Sequence, residues 1–143
     1  KDRQELPVKS AAEFDKIFQI DGSAYFFSRV QYIIRSIWNK MRKTVDMENS
    51  QMLELAKTAL CYRTMAKVVM TFDVAEWPRC IRYDFNHEYT KAADIQDRRI
   101  LAGQFQNEAE DCEAMIDQLL RAQNRIGIQQ NHNKESENHV TML

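Results

Sequence analysis

The chain has 143 residues, 44% of them apolar, the size and composition of one ordinary domain with a continuous core. Its 20 basic and 21 acidic residues leave a net charge of −1, which argues against a dedicated nucleic-acid binder. Three glycines and two prolines are too few for the turns of a many-stranded sandwich or barrel, so helices remain. No apolar run approaches the length that spans a bilayer, and the opening KDRQELP has neither a methionine nor a leader pattern, so a soluble, processed or trimmed chain is expected.

The first predicted element covers about residues 10 to 19, where Ser10 and Glu13 form a capping box and Phe14, Ile17 and Phe18 follow at helical spacing. Asp21-Gly22-Ser23 ends it. A second helix, about residues 22 to 44, carries Phe26, Val30, Ile33, Ile34, Ile37 and Met41 on one face and Ser28, Gln31, Arg35, Asn39 and Arg42 on the other. A third, about 49 to 72, turns Met52, Leu55, Ala59, Tyr62, Ala66 and Val69 inward and Ser50, Glu54, Lys57, Thr64, Lys67 and Thr71 outward.

Pro78 breaks the pattern and suits the first turn of a fourth helix, about 79 to 102, with Ile81, Phe85 and Tyr89 inward. The apolar stripe then slips in phase near Gly103, predicting a kink or turn. A fifth helix, about 104 to 125, carries Phe105, Ala109, Cys112, Ile116 and Leu119 inward and ends at Gly127 as its C-cap. The expected architecture is all-α, a single-domain up-and-down bundle of about five helices over residues 1 to 127. Residues 128 to 143 are polar and without a periodic core, so their composition predicts a disordered tail.

The sequence offers no catalytic residue, cofactor site or metal site. Asp84 and His87 stand at i and i+3, half of what a di-iron carboxylate bundle uses, but neither His132 nor His139 has an acid three positions before it. No nucleophile elbow or phosphate loop occurs. Cys61, Cys80 and Cys112 form no CxxC pair; one pair could bridge in an oxidising compartment, while burial as small hydrophobes is the alternative. The end Thr141-Met142-Leu143 has the form of an extended PDZ ligand.

Charge is segregated. Residues 22 to 45 hold Arg29, Arg35, Lys40, Arg42 and Lys43 and no acid, and Lys57, Arg63 and Lys67 on the third helix can extend that basic surface. Residues 101 to 120 hold Glu108, Glu110, Asp111, Glu113 and Asp117 and no base. Opposite fields of this kind suit intramolecular pairing or head-to-tail docking with a partner, a homodimer included. Tyr25, Phe26 and Phe27, with Tyr32 and Trp38, put apolar bulk around more of the second helix than one face can bury. Either part of it is exposed for contact, or the helix is buried on several sides.

The block from Glu88 to Ile100, EYTKAADIQDRRI, resembles the abalone sperm lysin family of small helical acrosomal proteins, which carry an acid, Tyr-Thr, a base, small and acidic residues, then Ile-x-Arg-Arg-Ile. Trp38 followed by Arg42, Lys43 and Thr44, then Ala59-Leu60 with Arg63, then a proline break, follow the family's order. The resemblance implies a five-helix fold and a secreted, non-enzymatic gamete-recognition role in the sperm acrosome. Its partner would be an egg-envelope glycoprotein or the egg membrane, bound through the basic helix and the aromatics beside it. Lysins are strongly basic and this chain is not, so a diverged paralogue with a changed partner is the form the resemblance takes. The alternative is an intracellular helical adaptor that recruits partners through its dipolar surface and C-terminal tail. In either case Arg98 and Arg99 of the block can serve the scaffold, Arg98 by pairing with Asp94 and Arg99 by reaching an acid on the next helix.

Overall fold

The computed structural model describes residues 6–18, 23–73, 76–77 and 95–142. Among these residues the protein is all-helical: α1 (Ala11–Phe18), α2 (Ser23–Met41), a 3-10 turn (Arg42–Thr44), α3 (Ser50–Thr71) and α4 (Ile95–Met142). Four α-helices are therefore described where about five were expected, and most of the predicted fourth helix lies outside the described residues.

Local chemistry sets the starts of α1 and α3. The Ser10 hydroxyl accepts from the Glu13 amide at 3.2 Å, and the Glu13 carboxylate accepts in turn from the Lys9 amide at 3.3 Å. Asn49 caps α3 by accepting from the Met52 amide at 3.0 Å. Between α2 and α3, Asp46 folds an Asx turn onto the Glu48 amide and also accepts from Gln123 of α4.

α3 is the centre of the bundle and packs on α1, α2 and α4. Its buried residues, among them Met52, Ala56, Leu60, Cys61, Met65, Val68 and Val69, lie all round the helix, because neighbours cover it on several sides. Thr64 is a correction: expected on the outer face, it is fully buried, and its hydroxyl donates to the Leu60 carbonyl at 2.7 Å. That internal bond removes the penalty for burying the hydroxyl. The small residues Ala59 and Ala109, both without exposed surface, suit close packing of α3 against α4.

α4 runs antiparallel to α3, since Arg98 at one end reaches the Phe72 carbonyl and Gln123 reaches Asp46 at the other. It is a single helix of 48 residues, about 72 Å long, and passes unbroken through Gly103 and Gly127. The expected chain turn near Gly103 and the C-cap at Gly127 are thus overturned. A glycine costs an internal helical position only about 1 kcal/mol, and burying Leu101, Ala102, Ala109 and Ile116 against α3 outweighs it. Past Gln123, the backbone of residues 128–142 is also helical, where composition predicts disorder; extending a formed helix avoids the nucleation cost.

A methyl group at Gly103 would meet nothing within 4 Å. Gly103→Ala is therefore expected to stabilise the protein by about 0.5–1 kcal/mol, raising Tm by about 2–4 °C in a thermal melt. An unchanged or lower Tm would contradict a continuous helix there.

Candidate functional site

The structure divides the predicted binding residues into two groups, those used to build the bundle and those left facing solvent. Phe26 is in the core at 6% exposure, and Phe27 is half-buried with its ring edge-on to Phe14. Of that aromatic run, only Tyr25 is an outer residue, 69% exposed. Tyr32, two helical turns further on the same face, is 64% exposed and joins the surface. The i to i+7 spacing is legible in the sequence, but the choice between buried and exposed aromatics is not.

Three of the cations hold the scaffold together. Arg29 donates to Glu76 at 2.8 Å and to the Tyr25 hydroxyl at 3.1 Å, and its guanidinium lies over the rings of Phe72 and Tyr25. The hydrogen bond from Arg29 holds the Glu76 carboxyl below its usual range. Arg63 makes a two-pronged bond to Glu113, both contacts 2.7 Å, tying α3 to α4; that hydrogen bond raises the guanidinium pKa against the opposing effect of burial. Lys57 lies 3.2 Å from Glu54 and 3.7 Å from Glu13. Planar bidentate geometry makes the Arg63 pair the firmest of the three.

Arg35, Lys40, Lys43 and Lys67 remain exposed, and Arg42 is half-buried; among the described residues none of the five has an acid within 4.0 Å. Tyr25, Ser28, Tyr32, Arg35, Ser36 and Asn39 form one outer stripe of α2, which Lys43 of the following 3-10 turn extends, with no acid along its length. Beside it a groove of about 500 Å³ opens between α2, α3 and α4. Ile37, Met41, Ala66 and Met70 give it apolar surface, Lys40 and Lys67 bring positive charge, and the Arg63–Glu113 pair lines it on the α4 side. Methionine side chains there can adapt to differently shaped apolar groups, while the lysines favour anionic ones.

The lysin-like block is only partly described. Residues 88–94, including Ala92, Ala93 and Asp94, lie outside the described residues, as do Cys80, Asp84 and His87. Arg98 donates to the Phe72 carbonyl at 3.3 Å and sits over the Trp77 ring, whose indole N–H donates to the same carbonyl at 3.0 Å. It closes the C-terminal end of α3 and is scaffold. Arg99 and Ile100 are exposed, and Arg99 has no acid within 4.0 Å among the described residues. Thr141 and Met142 are helical, so an extended PDZ-type contact would require that end to unwind.

Cys61 and Cys112 are free thiols. Burial pushes the Cys61 thiol far up, and Cys112 is raised by burial and then by Glu108, Asp111 and Glu113. At pH 8 the folded protein is expected to leave Cys61 unalkylated by iodoacetamide while unfolded protein reacts fully, as read by mass spectrometry. Rapid native labelling of Cys61 would contradict its burial. Among the described residues there is no cluster of three or more metal-binding side chains, and no helix is long and apolar enough to cross a membrane.

The arrangement is that of a helical bundle with an acid-free, tyrosine-bearing outer helix beside an apolar groove. Residues 26–138 match the family of unknown function DUF6712, and the chain belongs to that family. No curated protein and no solved structure matches it.

Proposed function

We propose that this protein is a non-enzymatic interaction module that binds an acidic partner through the outer face of α2 and the adjoining groove. One observation carries the reading. Arg35, Lys40, Lys43 and Lys67 stay unpaired among the described residues, beside exposed Tyr25 and Tyr32, while Arg29, Lys57 and Arg63 are paired internally. Unpaired cations steer an oppositely charged partner, and tyrosine and arginine are the residue types that anchor interfaces. An aqueous surface of this kind requires no reacting group.

The test presents three acidic surfaces to the folded protein: poly-L-glutamate, anionic phospholipid vesicles and isolated egg envelopes. Poly-L-glutamate should bind, and affinity should fall by at least about tenfold between about 0.05 and 0.5 M salt, because exposed charges are screened. Vesicle leakage or envelope binding without poly-L-glutamate binding would move the reading to the membrane or egg-coat partner implied by the lysin resemblance. Binding to none of the three overturns the proposal.

A further inference from the structure

We propose that the acidic partner is a second copy of this chain, with the α2 outer face of one copy docking on the α4 surface of the next, head to tail. This rests on the reading of α2 as a binding face. α4 offers the complementary surface: Glu108 and Asp111 are exposed on one face, without an ion-pair partner among the described residues, and Met115 on the same face is 49% exposed. The tyrosines of α2 would find an apolar contact in that methionine, and the cations of α2 would find acids.

The two surfaces do not satisfy each other within one copy. Glu108, Asp111 and Met115 share one face of α4, with Glu108 toward Tyr62, whose ring packs against Phe18 of α1, while Glu110 lies on the other side with Gln106 and Glu113, toward Arg63. Lys40 and Lys67 line the groove on the side where Gln106 and Glu113 stand. The acid-free stretch of residues 22–45 and the base-free stretch of residues 101–120 give each copy both halves of a charge-complementary contact, whereas a polyanion matches only the first. Docked head to tail, each pair of copies joins one α2 face to one α4 face and leaves one of each open, so the contact is heterologous and propagates to a ring or an open filament. One helix face is a small area, so each contact is weak and association depends on concentration and salt.

Sedimentation velocity of the whole chain tests this with two neutralised variants, Arg35→Gln/Lys40→Gln and Glu108→Gln/Asp111→Asn. All four positions are exposed, and circular dichroism confirms that each variant folds. Wild type at about 0.1 mM should exceed twice the monomer mass at about 0.05 M salt and return to monomer at about 0.5 M. Each variant alone should stay monomeric. An equimolar mixture should give a 1:1 dimer and nothing larger, since only one competent interface exists between the two. Wild type that remains monomeric at low salt, or either variant that still assembles alone, overturns the inference. If monomeric wild type still binds poly-L-glutamate, the partner assignment fails and the binding face stands; if it binds nothing, both fail.

Discussion

Phe14→Ala is expected to lower the free energy of unfolding by about 3–5 kcal/mol, the range for deleting a fully buried aromatic ring. Phe14 has no exposed surface, and its ring meets Phe18 at 5.6 Å, Phe26 at 5.9 Å and Phe27 at 6.1 Å. It is the one residue of α1 that is fully buried, with Phe18 packing beside it on Tyr62 of α3. At eight residues α1 cannot persist as an isolated helix, so its structure depends on docking against α2 and α3. A loss of this size is a large share of the stability of an ordinary domain, and urea denaturation followed by circular dichroism would read it as a lower midpoint. A loss below about 1 kcal/mol would mean that the ring is not packed as described.

The second large effect concerns the Arg63–Glu113 pair. Glu113→Ala leaves a guanidinium without its two-pronged partner in a half-buried position at the groove, and a cost of about 1–3 kcal/mol is expected. The same change removes a negative charge from the groove and releases Arg63 to face an incoming anion. Binding of poly-L-glutamate should therefore tighten by several-fold while stability falls, a combination that general unfolding cannot produce. A double-mutant cycle with Arg63→Met isolates the pair from the separate effect of each side chain. Equal and additive losses would show that the two groups do not interact in solution.

These two cases also mark what a single sequence can convey. The face of α2 that carries Val30, Ile34 and Met41, the Ser10–Glu13 capping box and the all-helical class follow from local spacing, and the core contains those three apolar residues. The ion pairs do not follow, because Arg29 and Glu76 are 47 residues apart and Arg63 and Glu113 are 50 apart, and nothing local states that they meet. Without those pairings every cation on α2 and α3 looks equally available. Thr64 was misplaced for a related reason: a hydroxyl reads as polar unless its bond to the preceding turn is known. The break expected near Gly103 follows from a phase slip in the apolar stripe and the one at Gly127 from glycine's preference for a C-cap, local signals that packing against α3 and propagation of a formed helix override in α4. Charge segregation itself was legible, since an acid-free stretch and a base-free stretch are properties of composition; which of those charges remain free is a property of the fold.

The central claim is that unpaired cations bind and paired cations build. Its most direct test is to measure poly-L-glutamate affinity and Tm together for wild type, Arg35→Gln/Lys40→Gln and Lys57→Gln. The account predicts that the double variant loses at least about tenfold in affinity with Tm within about 1 °C of wild type, while Lys57→Gln keeps its affinity. A double variant that binds as wild type does, or a Lys57→Gln protein that loses binding to the same extent, would contradict it.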